Sequence, residues 1–155
     1  MRVLSLVMII FLTACQSIGV QYKPPELNQP AALLKGRSYI INSFNQSGCY
    51  SGRTHVDADQ RVHAQQPIVL SVEGTTRSDE FCRASVQFVP ETDQTYLVSG
   101  RFSRKLREGT FIPISDGVCS LSVMKVMPDG SEQPIPTKAV ALRSTALTCI
   151  QAVER

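Results

Sequence analysis

The stretch FCRASVQFV, residues 81–89, alternates between polar and apolar side chains. A period of two places successive side chains on opposite faces of an extended strand. One face carries Arg83, Ser85 and Gln87, and the other carries Cys82, Ala84, Val86 and Phe88. Because the apolar face must be buried against a second layer, this stretch predicts one strand of a layered β fold.

The same pattern recurs along the rest of the chain. The predicted strands are residues 38–44, 67–73, 81–89, 96–102, 110–114, 118–127 and 139–147. Turn-forming sequences lie between several of them, most clearly at residues 90–93, 115–117 and 128–130. Only residues 137–147 also fit a helical period. We therefore predict a mostly β protein, a single antiparallel β-sandwich of about seven strands that spans residues 35–155.

The N-terminus has the anatomy of an export signal. Met1 and Arg2 give a short positive segment, residues 3–12 are largely apolar, and Thr13 and Ala14 are small. An apolar stretch of about ten residues is too short to cross a bilayer as a helix, which needs about twenty. Residues 1–14 are therefore predicted to be a cleaved signal peptide.

Residues 1–15 resemble the signal of bacterial lipoproteins, in which an aliphatic residue and two small positions precede an invariant cysteine. The matching residues are Leu12, Thr13, Ala14 and Cys15. The resemblance implies lipidation of Cys15 by diacylglycerol, cleavage before it, and acylation of the new N-terminus, for example with palmitate. Several acyl chains anchor a protein stably. Gln16 in place of Asp implies the outer membrane. We expect the domain to face the periplasm, and exposure at the cell surface is the alternative. The alternative is an ordinary secretory signal with an incidental cysteine.

Residues 15–34 are predicted to form a tether between this lipidated cysteine and the domain. They contain Pro24, Pro25 and Pro30 and show no regular periodicity. An extended, proline-rich segment from residue 16 to residue 30 would span about 45 Å at most. The alternative is that part of it packs on the domain as an edge strand, because Val20 and Tyr22 alternate.

The remaining four cysteines are predicted to form two disulfides, since an exported protein meets an oxidising compartment. Four cysteines allow three pairings. Cys82 and Cys119 both lie near the start of a predicted strand on its apolar face, which favours that pair and leaves Cys49 with Cys149. Zinc binding is disfavoured because the spacing is wide and contains no C-x-x-C pair.

Residues 82–127 resemble small periplasmic β-sandwich lipoproteins of unassigned function. The likeness rests on a cysteine-bearing strand that ends in Phe-Val-Pro, the following Glu-Thr-Asp-Gln-Thr-Tyr, and a Gly-Val-Cys before alternating apolar residues. It covers under a third of the chain. The resemblance implies a sandwich and supplies no activity.

One group of side chains has the character of metal ligands. His55, Asp57 and Asp59 recur at a period of two, which predicts one face of a strand, and His63 follows. These residues define the alternative function of a metal-binding or hydrolytic periplasmic protein. The competing interpretation is a solvated strand edge. No Gly-x-Ser-x-Gly sequence is present and the cysteines are assigned elsewhere, so we expect no catalytic activity, no bound metal and no cofactor.

A basic cluster lies near the middle of the chain, at Arg101, Arg104, Lys105 and Arg107. Such a cluster can bind anionic lipid headgroups, an anionic glycolipid or an acidic partner, or it can simply keep a hairpin loop soluble. Loss of Arg2 with the signal leaves 15 Lys and Arg against 13 Asp and Glu. This weak balance does not suggest nucleic acid as a partner.

Together these features predict an outer-membrane lipoprotein that acts as a non-catalytic binding or structural module of the cell envelope. The expected partners are the membrane, through the lipid on Cys15, and another envelope protein or an anionic glycolipid.

Overall fold

The computed structural model describes residues 19–75, 81–106 and 115–155, and their regular secondary structure is entirely strand. The strands are β1 (Ala31–Lys35), β2 (Tyr39–Phe44), β3 (Tyr50–Val56), β4 (Gln60–His63), β5 (Ile68–Thr75), β6 (Phe81–Phe88), β7 (Thr95–Leu106), β8 (Ser115–Val126), β9 (Glu132–Pro134), β10 (Lys138–Ala146) and β11 (Cys149–Glu154).

The strands form two sheets that pack against each other. The five-stranded sheet has the order β4-β1-β7-β8-β9, and the six-stranded sheet has the order β11-β10-β6-β5-β2-β3. This architecture confirms the predicted mostly β, sandwich-like fold. The pairing is antiparallel except that β1 and β7 are parallel, a departure from the fully antiparallel prediction. About sixty residues separate these two strands, which is ample for the crossover that a parallel pair needs.

The core lies between the two sheets. In β6, Val86 and Phe88 are buried and face it, which confirms the alternation of residues 81–89. The ring of Phe88 meets that of Tyr96 edge to face, with centroids 5.2 Å apart. The other fully or nearly buried core residues include Leu34, Tyr39, Ile41, Val62, Leu70, Val98 and Val123.

The Cys82–Cys119 disulfide joins the two sheets, because Cys82 lies in β6 and Cys119 in β8, with Cα atoms 5.6 Å apart. Cys82 pairs with Gly74 across one sheet, and Cys119 pairs with Phe102 across the other. A Cβ on Gly74 would lie 2.6 Å from the Phe102 ring, so a glycine is required where this ring packs. The predicted pairing is confirmed, and it lies where the sheets approach closely.

The Cys49–Cys149 disulfide ties the tip of the β10–β11 hairpin to the residue before β3, with Cα atoms 5.1 Å apart. This predicted pair is also confirmed. The hairpin begins beside β6, at Lys138 opposite Gln87, and ends at β3 on the far side of β5 and β2. It therefore crosses outside those two central strands.

The outer face of the six-stranded sheet is itself partly buried. Ile40 and Val69 alternate with core residues and so point away from the five-stranded sheet, yet each is less than 5% exposed. Val140 of the crossing hairpin is 1% exposed. Burial on this face indicates that the hairpin adds a second apolar layer to the sandwich.

Five strands were not among those predicted: β1, β3, β4, β9 and β11. Four of these, β3, β4, β9 and β11, are the edges of the two sheets. An edge strand has solvent on one side and needs little alternation, which is why its sequence carries a weak signal. Residues 137–147, which fitted either period, contain strand β10, and the predicted strand at residues 110–114 lies outside the described residues.

The predicted domain boundary at residue 35 needs correction. Strand β1 begins at Ala31, and Leu34 is completely buried in the core. Pro25 is buried as well, within the segment predicted to be a free spacer. The domain therefore includes the second half of the predicted tether.

Candidate functional site

The first described segment, residues 19–23, packs along the outer edge of β3. The backbone N–H of Val20 donates a hydrogen bond to the carbonyl of Ser51, with an N–O distance of 2.9 Å. Two residues later, the N–H of Tyr22 donates to Oγ1 of Thr54, at 2.7 Å. For this segment the structure therefore shows the alternative that was predicted for the tether, in which part of it packs on the domain.

The geometry gives the direction in which the N-terminal segment runs. Its contacts advance along β3 as the chain advances, so the segment is parallel to that strand. A Cβ on Gly52 would lie 2.5 Å from the backbone N and O of Val20, so only glycine allows this approach. Gly19, the first described residue, is therefore the end of the segment nearest to the start of β3 and to Cys49.

Tyr22 connects the edges of the two sheets. Its hydroxyl oxygen accepts a hydrogen bond from the backbone N–H of His63 in β4, at 2.9 Å, and the two rings meet edge to face at 6.1 Å. Burial raises the pKa of the Tyr22 hydroxyl, and the hydrogen bond from His63 partly offsets this effect. Because β3 and β4 are edge strands of different sheets, the segment closes one side of the sandwich.

A cleft of about 340 Å³ lies beneath this segment. Its lining consists of residues 20–23, 42–44, 66–68, Ser51 and His63. The lining contains amide, hydroxyl and imidazole groups and the ammonium group of Lys23, but no carboxylate and no thiol. This composition can hydrogen-bond a polar group, but it offers no nucleophile paired with a carboxylate-oriented base of the kind used in hydrolysis.

A buried polar ladder crosses the central strands on the outer face. The side-chain amide of Asn42 donates to Oγ of Ser71 at 2.7 Å and to the carbonyl of Val69 at 3.3 Å. The hydroxyls of Ser71 and Ser85 are 2.8 Å apart and hydrogen-bonded. Since these groups satisfy one another, the ladder stabilises the pairing of β2, β5 and β6.

Tyr39 is a buried residue whose hydroxyl group has an unusual environment: it has no hydrogen-bond partner among the described residues, and its pKa is strongly raised. Its side chain is 1% exposed, and the hydroxyl has no hydrogen-bond partner among the described residues. Burial strongly raises the pKa of this hydroxyl, and the negative charge of Asp59 acts in the same direction. The phenol therefore remains neutral at physiological pH.

The four candidate metal ligands are not brought together. Strand β3 ends at Val56, so Asp57 and Asp59 lie in the following turn and do not share a strand face with His55, as the period of two had predicted. His63 lies in the other sheet, under Tyr22. Among the residues that the structure describes, no group of three or more His, Cys, Asp or Glu side chains could hold a metal ion.

The basic cluster lies along the end of β7. Arg101 is exposed, while Arg104 and Lys105 pair in backbone register with Gly117 and Asp116 of β8. Arg107 lies outside the described residues.

The cluster lies at the end of the sandwich opposite the N-terminal segment. Phe102 packs on Gly74, near the end of β5, whereas Ile68, at the start of β5, lines the cleft. These two ends of β5 are about 20 Å apart. The same far end holds Glu73, which pairs with Arg53 at 3.2 Å and with Arg83.

The corner near the start of β3 has the opposite character. We define the N-terminal corner as residues 19–22, 43–52 and 144–151, which meet through the contacts of Val20 and the Cys49–Cys149 disulfide. These ranges contain no Asp, Glu, Lys, Arg or His. Leu147 at the hairpin tip is completely exposed, and Val20 is 55% exposed. Sequence periodicity did not reveal this corner, because its parts come together only through the docked segment and the disulfide.

Comparison with known proteins found no matching family model, no match among curated proteins and no match among solved structures. In the described part of the chain, no helix has the length and apolar character required to cross a bilayer.

Proposed function

We propose that this chain is a lipid-anchored, non-catalytic module of the bacterial outer membrane that binds another component of the envelope from the periplasmic side. The lipoprotein-like signal at Leu12-Thr13-Ala14-Cys15 supports the anchor. The two disulfides are consistent with folding in an oxidising compartment.

The docked N-terminal segment is the observation that carries this proposal. Only three residues, 16–18, lie between Cys15 and Gly19, the first described residue that packs on the domain. A link of that length spans about 14 Å at most. The domain is thus held close to the lipid, in place of the roughly 45 Å separation expected of a free tether.

The partner is proposed to bind at the end of the domain away from the N-terminal corner. Arg101 is exposed there, and with the exposed Arg37 it lines one shallow cleft beside Phe102. Positive potential favours an acidic surface, and loops and strand ends on a rigid sandwich are common binding sites. A protein with an acidic face is the preferred partner, and an anionic glycolipid is the competing outcome.

The anchor is tested by expressing the full chain and its Cys15→Ser variant in a Gram-negative host, with Ser17→Ala as a matched control that leaves the signal pattern intact. The parent and the control are expected in the outer-membrane fraction, with acyl chains on Cys15 detected by mass spectrometry. The Cys15→Ser form is expected to be released by osmotic shock. An unmodified Cys15 would contradict the proposal, as would a Cys15→Ser form that stays with the membrane.

The partner is tested by cross-linking in native membranes, comparing the parent chain with Arg101→Glu. Charge reversal is expected to remove an acidic protein partner from the cross-linked products. Retention of the same products would exclude this surface, and loss of cross-linking to lipopolysaccharide alone would favour the glycolipid.

A further inference from the structure

The tip of the β10–β11 hairpin presents an apolar side chain where a turn ordinarily presents a polar one. Tight turns favour Gly, Asn, Asp and Ser, but the tip has the sequence Ala146-Leu147-Thr148. Leu147 is 106% exposed relative to a fully accessible leucine. It contributes nothing to the core, so packing does not account for its presence.

The shape of this tip is held by local contacts. Oγ of Ser144 donates to the carbonyl of Ala146 at 2.9 Å, and Oγ1 of Thr145 donates to the carbonyl of Cys149 at 3.4 Å. On the facing turn, Oδ1 of Asn45 accepts from the N–H of Cys49 at 2.9 Å. The disulfide then joins the two turns, so Leu147 projects from a braced support.

The tip lies on the side of the molecule from which the N-terminal segment arrives. Gly19 packs against Gly52, which is about 10 Å along β3 from Cys49. Cys49 is bonded to Cys149, two residues from Leu147. Because the segment runs parallel to β3, its first described residue, Gly19, is the end nearest to this corner, and Cys15 is four positions earlier in the sequence.

The side chains around Leu147 are those that a bilayer surface tolerates. The N-terminal corner has no charged residue, and a basic residue, the sign that anionic headgroups attract, directly flanks each of its three ranges: Lys23, Arg53 and Arg143. Phe44 and Tyr50 lie there half-buried, with ring centroids 6.2 Å apart, and Ile150 is 42% exposed. Aromatic side chains at the level of the headgroups and an apolar tip beyond them are typical of membrane-interface contacts.

From this placement we propose that the β10–β11 hairpin tip inserts Leu147 into the leaflet that holds Cys15, giving the domain a second point of contact with the membrane. This inference rests on the proposed lipid anchor. It orients the domain, because two contacts on one corner direct the charged end, with Arg101, toward the periplasm.

The chain contains no tryptophan, so a single introduced indole reports its own surroundings. Leu147→Trp is compared with Phe81→Trp, a 57% exposed position at the charged end of β6. Each lipidated full-length variant is reconstituted into vesicles of phosphatidylethanolamine and phosphatidylglycerol, with or without bromine on the acyl chains. Folding is checked by circular dichroism and by the presence of both disulfides.

Brominated lipid is expected to quench the indole of Leu147→Trp and to leave that of Phe81→Trp unchanged, with a blue shift of emission only in the first. Equal quenching of the two, or none in either, would overturn the insertion while leaving the anchor intact. An unmodified Cys15 in the same preparation would overturn both proposals.

A second measurement avoids the indole. Leu147→Ser in the lipidated protein is expected to raise access of an aqueous protease to the hairpin in vesicles, relative to the parent. Equal cleavage rates would likewise overturn the insertion.

Discussion

Replacing Cys49 and Cys149 together by serine removes the disulfide that links the β10–β11 hairpin to the start of β3. The bridge closes a loop with a sequence separation of 100 residues. Restricting a loop of that length in the unfolded chain stabilises the folded state by about 4.7 kcal/mol in the chain-entropy description. A domain of this size has an unfolding free energy of about 5 to 15 kcal/mol, so the double variant loses a large part of it.

The structure also predicts which part of the domain opens first when the free energy of unfolding is reduced in this way. Beyond the disulfide, the strand pairing of the hairpin with the other described residues of its sheet is limited to Lys138 and Ala139, opposite Gln87 and Val86. Once the tip is released, we expect the hairpin to open locally at a lower free energy than the central strands. The buried outer-face residue Val69 then becomes accessible to solvent.

The assay is urea unfolding of the soluble Cys15→Ser chain, followed by circular dichroism, together with amide hydrogen exchange. With a urea dependence of about 1 to 3 kcal/mol/M, the midpoint is expected to fall by about 1.5 to 5 M. Amides of residues 139–153 are expected to lose protection before those of β5. A loss below about 1 kcal/mol, or unchanged protection of the hairpin, would refute the role assigned to the bridge.

Three single substitutions test other parts of the structure in the same unfolding assay. Tyr39→Phe removes a buried hydroxyl without a described partner, so stability at neutral pH should stay unchanged or rise by up to about 1 kcal/mol. Burial raises the pKa of Tyr39 above its ordinary 10.0, so the contribution of the neutral phenol to stability is complete below pH 10 and is lost as the pH rises further. Tyr39→Phe should therefore reduce the loss of stability at alkaline pH. An unchanged dependence of stability on pH would contradict this prediction. Gly52→Ala brings a Cβ within 2.5 Å of the Val20 backbone, so the N-terminal segment should detach, and continued exchange protection of the Val20 amide would contradict the docking. Tyr22→Phe leaves the His63 N–H without its acceptor and should cost about 1 kcal/mol, whereas a neutral effect would show that the contact between sheet edges is not stabilising.

The central strands could be predicted because their sequences obey a single local rule. Residues 68, 70 and 72 of β5, like residues 84, 86 and 88 of β6, alternate with outward-facing side chains and line the core. Burial on one face imposes a period of two that is visible in the sequence. The same rule put Cys82 and Cys119 on the apolar face and so led to their pairing.

The edge strands and the N-terminal segment could not be predicted in this way. Strands β3, β4, β9 and β11 face solvent along one edge, and their sequences carry little alternation. Residues 19–34 read as a proline-rich spacer, yet Tyr22 and Leu34 hold them on the domain. The difference arises because docking depends on partners such as Thr54 and His63, which are distant in the chain.

The sequence by itself determined the β character of the protein, its two disulfides and the short distance in residues from Cys15 to the domain. These are local properties of alternation, cysteine number and spacing. Only the tertiary structure decided that the four candidate metal ligands lie apart, that residues 19–34 pack on the domain, and that Leu147 shares an uncharged corner with the N-terminal segment. Such contacts depend on which strand edges and turns come together across the sandwich, and these residues are distant in the chain, so local sequence does not encode their contacts.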